Sequence, residues 1–309
     1  MRVGIVILNY NQLEDTRQCL RSLRNLQYAD RSIYVLDNGS RDGSLAVLPS
    51  EFPECTFIDN QANLGFAGGC NRGIERVLKD GADAVMLLNN DLEVDPAFLS
   101  ELVEVLRSHD KVAVVGAVNY ELDHREVLFS AGHRINLWTG TQTKLDPSTF
   151  AKILGTSRLE EPLRVQCVPG SAFLIRREVL EEVGLLDERF FIYYEESDFC
   201  LRVAEAGWEC WIVPSSKIWH RVFSSLGQRS PAIHYICTRN LLLLVRKHGT
   251  PLQRASFLLY NTLYLLAKSA YFALRGRPCA AKAIAWGWID YWRGNWEIGR
   301  LQEVRDWGA

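Results

Sequence analysis

Short apolar runs alternate with helix-period segments over the first 115 residues of the chain. The runs predict strands at Val3–Leu8, Ser32–Leu36, Thr56–Ile58, Val85–Leu88 and Val112–Val115. Between them, the pattern predicts helices near Glu14–Leu26, from about Asp42, and over Gly68–Lys79 and Pro96–Arg107. Regular alternation of strands and helices is typical of a mostly parallel sheet covered by helices on both faces. The sequence therefore predicts an α/β fold.

Each of the first four predicted strands is followed by a polar or glycine-rich segment. In chain order these segments are "NYNQ", "DNGSRDGS", "NQANLGFAGG" and "NNDLEVD". Any one of them has ordinary turn composition. In a parallel sheet, however, all four lie at the same edge, beyond the carboxyl ends of the strands, where ligands bind. Together they predict a polar rim of the size of a nucleotide.

Two carboxylates stand directly at the ends of predicted strands. Asp37 closes the second strand, where it can accept hydrogen bonds from a ribose or a base, or cap the following helix. Asp91 ends the triplet "NND" and is its only strong oxygen ligand for Mg²⁺ or Mn²⁺. The alternative for this triplet is a plain turn that leads to a helix starting at Asp95-Pro96.

The segment "NLGFAGGCNRG" (63–73) contains four glycines. Glycine allows the backbone to approach a ligand closely, and a helix amino terminus attracts phosphate, although close packing of a helix on a strand needs glycine as well. The segment matches neither GxGxxG nor GxxxxGK[ST]. This excludes the dinucleotide-binding fingerprint and the P-loop of kinases and ATPases.

A second acidic cluster places Glu195, Glu196 and Asp198 within four residues. Repulsion between like charges in a partly buried cluster makes one carboxylate a better general base, whereas an exposed helix start also favours acids. His220 follows the strand-like "WIVPSSKIW" and is either a metal ligand or a structural histidine. We expect Asp37, Asp91, Glu196 and His220 to converge on one site.

Taken in order, these segments resemble the inverting glycosyltransferases of family 2, in particular the rhamnosyltransferase-like branch. The resemblance extends from about residue 3 to 248 and rests on "VILNYNQ", "VLDNGSRDGS", "NLGFAGGCNRG", "LLNNDLEVDP", "VPGSAFLIRREVLEEVGLLDERFFIYYEESDFCLRV", "WHRVFSS" and "SPAIHYICTRNLLLLVRKH". It implies the GT-A (nucleotide-diphospho-sugar transferase) fold for residues 1–248. Residues 249–309 are then a helical extension that packs on protein or lies on a membrane surface.

The resemblance also implies roles for single residues. Donor-binding residues would be Asn9, Asn11, Asp37, Asn63, Gly65, Asn90 and Asp91. A divalent metal, Mn²⁺ or Mg²⁺, would be held by Asp91 and His220. Glu196 would be the catalytic base, with Asp198 as its rival because the family places an Asp at the position of Glu196. The acceptor side would be formed by Gly170, Ser171, Glu195 and Arg239. The metal motif departs from the family's DxD, since it reads NND here.

The activity implied is inverting transfer of a sugar from a nucleotide diphosphate to a hydroxyl of a glycan or lipid-diphosphate-linked acceptor, in cell-surface polysaccharide synthesis. Rhamnose from dTDP-rhamnose is favoured, and UDP- or GDP-sugars remain open. One alternative is a sugar-nucleotide pyrophosphorylase, but "NYNQLED" lacks the basic glycine-rich loop that it needs. The other is a non-catalytic carbohydrate-binding or scaffold protein. The presence of Asp37, Asp91, Glu196 and His220 argues against this alternative.

Charge is distributed very unevenly along the chain. Residues 1–209 carry a net charge of −12, whereas residues 210–289 contain eleven Lys and Arg and no acid. A long acid-free segment predicts a surface that faces phosphates, nucleic acid or acidic lipid, and the resemblance argues against nucleic acid. The eight cysteines include no CxxC pair, and the first residues are too few for a signal-peptide core, so a cytoplasmic setting is expected.

The segment 251–275 has one regularity, because Arg254, Asn261, Lys268 and Arg275 recur at intervals of seven. This predicts an interfacial helix at the inner face of the cell membrane, with the polar stripe toward water. A spanning helix is disfavoured by Asn261 and Lys268. The aromatic segment "AWGWIDYWRGNW" is typical of a membrane-interface belt. Packing against the catalytic domain, or in a homodimer, is the alternative.

Overall fold

The computed structural model describes residues 1–146, 161–221, 230–297, 300–301 and 303–304. This part of the chain divides into two compact units. The first contains the described residues of Met1–Arg134, Thr143–Asp187 and Glu196–Val222, and the second those of Ile135–Gln142, Glu188–Glu195 and Phe223–Ala309. The division predicted from the sequence, 1–248 and 249–309, places its boundary elsewhere and stays a prediction.

The strands are numbered in chain order. They are β1 (Val3–Asn9), β2 (Arg31–Asp37), β3 (Thr56–Asp59), β4 (Ala84–Asn89), β5 (Leu92–Val94), β6 (Val112–Glu121), β7 (Leu128–Ser130), β8 (His133–Asn136), β9 (Thr141–Lys144), β10 (Leu163–Val165), β11 (Ala172–Arg176) and β12 (Glu209–His220). Among the described residues, β8 and β9 form a two-stranded sheet, and the others form a ten-stranded sheet in the order β10-β12-β6-β11-β4-β1-β2-β3, with β5 beside β12 and β7 beside β6.

The large sheet is mixed but mostly parallel, as predicted. The strands β1 to β4 run in one direction, and β6 and β12 share it. The strand β11 is antiparallel to both of its neighbours, β4 and β6. Its amino end therefore lies at the edge where the parallel strands have their carboxyl ends.

Helices alternate with the strands in the first unit, and three further helices in the described part of the chain belong to the second unit. In chain order they are α1 (Leu13–Leu23), α2 (Ser44–Glu51), α3 (Gly65–Lys79), α4 (Phe98–Ser108), α5 (Arg177–Val183), α6 (Glu195–Glu205), α7 (Pro231–His248), α8 (Pro251–Leu274) and α9 (Pro278–Arg293). Among the described helices, none has the length and apolar content needed to cross a membrane.

Burial explains why these segments fold as they do. Ala84 to Leu88 of β4 are all buried, as expected for a strand covered on both faces. Helix α1 buries one face, formed by Thr16, Cys19, Leu20 and Leu23 at the spacing of an amphipathic helix. Two glycines of α3, Gly69 and Gly73, face β1 so closely that a Cβ on either would lie 2.4 Å from Leu8 or Val6.

The prediction for the fifth strand was too short. We expected it to end at Val115, but β6 continues to Glu121. The apolar run is interrupted at Gly116, where a Cβ would lie 2.9 Å from Val168, so the glycine is a packing requirement rather than a strand end. The last four of the extra residues, 118–121, pair with Lys217–His220 of β12, and this pairing brings His220 to the carboxyl edge of the sheet.

The second unit is built on α7, α8 and α9. Helix α7 begins after Ser230, whose side chain caps it by accepting a hydrogen bond from the amide of Ala232. Tyr235 of α7 donates its hydroxyl to Asp290 Oδ2 at 2.9 Å. Helices α7 and α9 touch at Gly287 of α9, where a Cβ would lie 2.4 Å from the carbonyl oxygen of Tyr235 of α7.

Candidate active site

The carboxyl ends of three neighbouring strands place polar side chains together. Asn9, Asp37 and Asn89 are the last residues of β1, β2 and β4. In the sheet register Asn9 pairs with Asp37, and Leu8 pairs with Asn89. All of them lie in the first unit. The polar rim predicted from the sequence thus exists at this edge.

The Asp37 carboxylate is the centre of a hydrogen-bonded turn. It is 3% exposed, and its Oδ2 accepts from Asn9 Nδ2 at 2.8 Å while its Oδ1 accepts from the Ser40 amide at 2.8 Å. Ser40 Oγ in turn accepts from the amide of Asn11 at 2.9 Å. The structure therefore brings Asn9, Asn11 and Asp37 together, and it adds Ser40 to them.

A buried threonine connects the Asp37 side of the edge to the NND triplet. Thr16 Oγ1 donates to Asn9 Oδ1 at 2.8 Å and accepts from Asn90 Nδ2 at 2.8 Å. The path from Asp37 through Asn9 and Thr16 to Asn90 is continuous, and we call these four side chains the polar relay. Sequence reasoning missed Thr16, although a polar residue at a buried-face position of α1 is a readable signal.

Asn63 and Gly65 are held to the same edge by Asn38. Asn38 Nδ2 donates to Asn63 Oδ1 at 3.2 Å and to the carbonyl of Gly65 at 3.0 Å. Gly65 has a φ of +74°, in the left-handed region that favours glycine. The predicted donor-binding pair therefore lies beside the residue that follows Asp37, and its contact with a donor stays a prediction.

Asp91 and His220 form a direct pair although 129 residues separate them in the chain. His220 Nε2 lies 3.0 Å from Asp91 Oδ1 and 3.5 Å from Asn89 Nδ2. The short strand β5 creates this pair, because it runs antiparallel to β12 and sets Leu92 opposite His220. Both side chains are largely buried, with relative exposures of 6% for Asp91 and 13% for His220.

The Asp91–His220 pair fits a divalent cation by its chemistry. A carboxylate oxygen and an imidazole nitrogen are both ligand types that Mn²⁺ accepts. His220 Nδ1 is buried without a hydrogen-bond partner, so the imidazole is not fully satisfied by the protein. Among the described residues, no group of three or more His, Cys, Asp or Glu side chains forms a complete metal cage. This pair therefore supplies two ligands of the kinds that a divalent ion can use.

Glu196 lies at the start of α6, within reach of a histidine. Ser197 Oγ donates to Glu196 Oε1 at 3.0 Å, and His133 Nε2 is 2.9 Å from Ser197 Oγ and 3.8 Å from Glu196 Oε1. The Glu196 side chain is 14% exposed. It remains accessible while two neighbours fix its orientation. Sequence reasoning missed both His133 and Ser197, and no motif signals the former.

Asp198, the rival of Glu196, is engaged in an ion pair. It is 0% exposed, and its Oδ2 accepts from Arg202 Nε one helical turn later at 3.0 Å. Arg202 also donates to the carbonyls of Val183 and Leu185, at 2.8 and 2.7 Å. This network ties α6 to the segment that precedes it, which is a structural task.

Gly170 and Ser171 reach the edge because β11 runs in reverse. The amide of Asn89 donates to the Ser171 carbonyl at 2.8 Å, and Asn119 Nδ2 donates to Ser171 Oγ. Gly170 packs on Glu196, since a Cβ there would lie 3.1 Å from Glu196 Cγ. These contacts connect the end of β4 to Glu196.

Glu195 and Arg239, both predicted for the acceptor side, belong to the second unit. Arg239 is 1% exposed, and its Nη2 donates to the carbonyl of Arg189 at 3.1 Å. The neighbouring Asn240 donates to the carbonyls of Phe190, Ile192 and Tyr193 at 2.7 to 2.9 Å. The roles of Glu195 and Arg239 stay predictions, and the "VFSS" of "WHRVFSS" lies outside the described residues.

Three residues of the segment Glu188–Glu195 have a backbone conformation that the hydrogen bonds from Asn240 help to hold. Phe191, Tyr193 and Tyr194 have φ values of 63°, 67° and 74°, a backbone conformation that side chains with a Cβ rarely adopt. Such residues cost about 1–3 kcal/mol each and persist where surrounding contacts fix them. Asn240 supplies such contacts from α7, so its buried side chain has a clear task within the second unit.

Comparison with known proteins gives consistent results. The family described as "Glycosyl transferase family 2" matches residues 4–184. The chain is 28% identical over 244 residues to an N-acetylglucosaminyl-diphospho-decaprenol L-rhamnosyltransferase of Mycobacterium tuberculosis, a match that covers 74% of this chain and 79% of the relative. It is 24% identical over 276 residues to the dTDP-rhamnosyl transferase RfbF of Shigella flexneri, with 85% and 87% of the two chains covered.

Among solved structures, the chain resembles GalNAc-T7 crystallised with UDP, GalNAc and Mn²⁺. The TM-score is 0.66 at 18% sequence identity. The match covers 99% of this chain but only 54% of the other, so the chain spans about half the length of that protein. At this identity the likeness concerns the fold alone.

Proposed function

The chain belongs to glycosyl transferase family 2 and has the GT-A fold, and we propose that it is an inverting rhamnosyltransferase with a lipid-diphosphate-linked acceptor. That it is a glycosyltransferase follows from its family. The donor, the acceptor, the inversion and the residue roles are the proposal. Family membership also removes the two alternatives raised by the sequence, a pyrophosphorylase and a non-catalytic scaffold.

The observation that carries the proposal is the polar relay together with the Asp91–His220 pair. The relay joins the end of β2 to the NND triplet through buried hydrogen bonds. A nucleoside diphosphate needs hydrogen-bonding groups and a compensating positive charge that are held in fixed positions. Asp37 lies at one end of the relay, and Asn90 at its other end directly precedes Asp91 of the pair that would hold the metal.

Glu196 is the proposed general base. Its carboxylate is accessible, oriented by Ser197 and His133, and packed on Gly170 at the edge of the sheet. In the proposed step, an acceptor hydroxyl attacks the anomeric carbon of the donor from the face opposite the diphosphate. The hydroxyl proton passes to Glu196 as the new glycosidic bond forms and the bond to the diphosphate oxygen breaks. One such displacement inverts the anomeric configuration.

Asp91 and His220 would hold the divalent ion, and Asn90 is fixed beside them by Thr16. When bound, Mn²⁺ or Mg²⁺ supplies a positive charge that offsets the charge on the departing diphosphate. The acceptor side is assigned to Gly170 and Ser171, which adjoin Glu196. Asp198 is not assigned a chemical role because its carboxylate is buried against Arg202.

The substrates are proposed from the relatives. One is named for transfer of L-rhamnose to an N-acetylglucosaminyl diphosphate lipid, and the other for dTDP-rhamnose as its donor. We therefore favour dTDP-rhamnose as donor and a sugar on a lipid diphosphate as acceptor, used in cell-surface polysaccharide synthesis. GDP- and UDP-sugars are the comparison donors.

The test is a panel of nucleotide sugars with the purified full chain. Thermal unfolding is measured with dTDP-rhamnose, UDP-glucose and GDP-mannose, each with and without Mn²⁺, and transfer to a synthetic N-acetylglucosaminyl diphosphate lipid is followed by mass spectrometry. We expect dTDP-rhamnose with Mn²⁺ to give the largest stabilisation and a product with inverted configuration by NMR. A retained configuration, or a larger response to another donor, refutes the corresponding part of the proposal.

A further inference from the structure

Helix α8 exposes an unusually apolar face. Its leucines have high relative exposures, from 61% to 88%, at Leu252, Leu259, Leu263, Leu266 and Leu274. These positions follow the periodicity of a helix, so the five side chains lie along one stripe. Scattered exposed leucines are ordinary on a protein surface, but a continuous stripe along a helix of 24 residues marks an interaction surface.

The opposite side of α8 faces the interior of its own unit. Phe257, Asn261 and Phe272 are buried there, with 1%, 5% and 8% exposed. The prediction that the polar stripe faces water was therefore wrong for Asn261, because the two phenylalanine rings bury that side of the helix. Asn261 therefore faces inward, whereas Arg254 and Arg275 of the same stripe are exposed and Lys268 is half-buried. The leucines face outward.

Tyrosines and basic residues border the leucine stripe. Tyr260, Tyr264 and Tyr271 are 43%, 49% and 53% exposed. Lys268 lies over the ring of Tyr264, and Arg275 lies over the ring of Tyr271, each at 5.5 Å from the ring centre. Tyrosine prefers the boundary between the acyl chains and the headgroups of a membrane, and the long basic side chains can reach the headgroups above it.

A loop of the same unit extends the apolar surface. Trp138 is 44% exposed, and its carbonyl accepts a hydrogen bond from Ser256 Oγ of α8 at 3.2 Å. Gly140 in this loop has a φ of +74° and packs on Phe257, where a Cβ would lie 2.5 Å from the ring. The tryptophan is thus attached to α8 through contacts within the unit.

We propose that this face, formed by the exposed leucines of α8 with its three tyrosines and Trp138, lies in the interface of an anionic phospholipid membrane. Apolar side chains supply the insertion energy, and the basic residues attract the lipid phosphates. The charge of α8 itself favours lipid over a second copy of the chain. The helix contains no acid, it carries Arg254 and Lys268, and Arg275 follows it directly, so a symmetric dimer through this helix would bring like charges near one another.

The experiment measures sedimentation of the full chain with vesicles. Vesicles of phosphatidylglycerol and phosphatidylcholine are compared with pure phosphatidylcholine, at low and high salt. The variant carries Leu259→Glu and Leu266→Glu, two changes at positions that already face water. The matched control is Val127→Glu, which changes a residue with 47% exposure in the first unit.

We expect the parent and Val127→Glu to bind anionic vesicles, and the double variant to bind about 10-fold or more weakly, since two apolar side chains no longer enter the interface. Binding should weaken in high salt and on neutral vesicles. Equal binding by parent and double variant, or no binding by the parent, overturns the proposal. A parent dimer that becomes monomeric in the double variant, by light scattering, assigns the face to a second copy instead.

The inference is independent of the proposed transferase chemistry. Unfolding temperature and the stabilisation by dTDP-rhamnose with Mn²⁺ are measured on the same three proteins. We expect all three to keep both quantities, because the changed residues lie on the outer face of α8 or on the surface of the first unit. A loss of vesicle binding without a loss of donor binding is therefore a membrane effect, whereas failure of donor binding in the parent concerns the proposed function alone.

Discussion

Glu196 packs directly on Gly170. A Cβ at residue 170 would lie 3.1 Å from Glu196 Cγ, which is tighter than most Cβ contacts, and 3.4 Å from its Cβ and Cδ. The absence of a side chain at Gly170 thus leaves room for Glu196 in this position. Residue 170 also precedes Ser171, whose carbonyl accepts the amide hydrogen bond of Asn89.

The first prediction concerns Gly170→Ala. The added methyl group must displace Glu196 by a few tenths of an ångström, and small misplacements of a catalytic group reduce the rate strongly. We expect kcat to fall roughly 10-fold with little change in the donor Kd or in the unfolding temperature. Steady-state kinetics and thermal unfolding check this. An unchanged kcat contradicts the assignment of Glu196.

The second prediction concerns Glu196→Gln. Glutamine keeps the size and the hydrogen bond to Ser197 but cannot take up the hydroxyl proton. Loss of a general base typically costs about 10²- to 10⁴-fold in kcat, and donor binding should remain within about twofold. Transfer assays and donor titrations measure the two quantities. Substantial turnover by the pure variant removes Glu196 from its role.

Asp198→Asn is the matched control for that variant. It removes the charge of a neighbouring carboxylate that is fully buried and pairs with Arg202. Breaking one side of a buried pair costs about 3 kcal/mol of unfolding free energy. We expect lower stability and near-parental kcat per folded molecule, which is the reverse of the pattern for Glu196→Gln.

The third prediction concerns Asp91→Asn. The variant keeps the shape of the side chain that meets His220 Nε2 at 3.0 Å but loses the negative charge that a divalent ion needs. A ligand at 100 times its Kd stabilises the folded state by about 2.7 kcal/mol, and we expect the Mn²⁺-dependent part of the donor stabilisation to disappear. Thermal unfolding with donor, with and without Mn²⁺, measures it.

Glu93→Gln is the control for Asp91→Asn, because Glu93 is an acid of the same segment that pairs with Arg125 instead. It should retain the response to Mn²⁺. If both variants keep that response, the metal is not held at Asp91.

The fourth prediction concerns Thr16→Val. Valine has the shape of threonine but leaves Asn9 Oδ1 and Asn90 Nδ2 buried without their partner in the polar relay. We expect a loss of about 2 kcal/mol in unfolding free energy and weaker donor binding. Thr16→Ser keeps the hydroxyl and should keep donor affinity. Chemical denaturation and donor titration check both variants, and equal affinity of valine and serine variants rules out a role for the relay.

The fifth prediction concerns the pH dependence of stability through His234. Burial, together with Lys268 and Arg277, lowers the pKa of His234 to about 4, and the ring packs 4.8 Å from that of Phe272. Between the unfolded and folded pKa values, about 6.5 and 4, the unfolded state binds a proton that the folded state does not. Stability from this group therefore decreases as pH falls through that range.

The variant His234→Gln should lose the pH-dependent part of the unfolding free energy that comes from His234. Denaturation curves for parent and variant, recorded from pH 7 to pH 4, give the difference in slope. A parallel pH dependence of the two proteins shows that folding does not lower the pKa of His234.

Much of the fold could be predicted because it depends on local pattern. The starts and ends of β1 to β4 agree with the apolar runs within one residue. For β1, β2 and β4 the reason is burial, since a strand covered on both faces is a continuous apolar segment, whereas β3 is a half-buried edge strand. Helix α3 begins at Gly65, three residues before the predicted Gly68. Its first residues include several glycines, which give no clear signal for the start of a helix. The end of β6 was missed at Gly116, where tertiary packing and not local preference selects the residue.

The candidate site could be predicted only as far as its residues follow strands. Asp37 and Asp91 were found in this way. Thr16, Asn38 and His133 were not, because their roles come from contacts between segments far apart in the chain. His133 contacts Ser197 although 64 residues separate them in the chain, and no sequence motif predicts this contact. The inward orientation of Asn261 was also unpredictable, since a heptad stripe does not state which side of a helix the protein covers.

The reversed direction of β11 means that the two sides of the site depend on different parts of the chain. The strands β1, β2 and β4 hold their register through one another. Gly170 and Ser171 reach the same edge through the amino end of β11, which pairs with β4 in the opposite direction. A displacement of β11 along β4 would therefore move Gly170 and Ser171 while Asn9 and Asp37 kept their places.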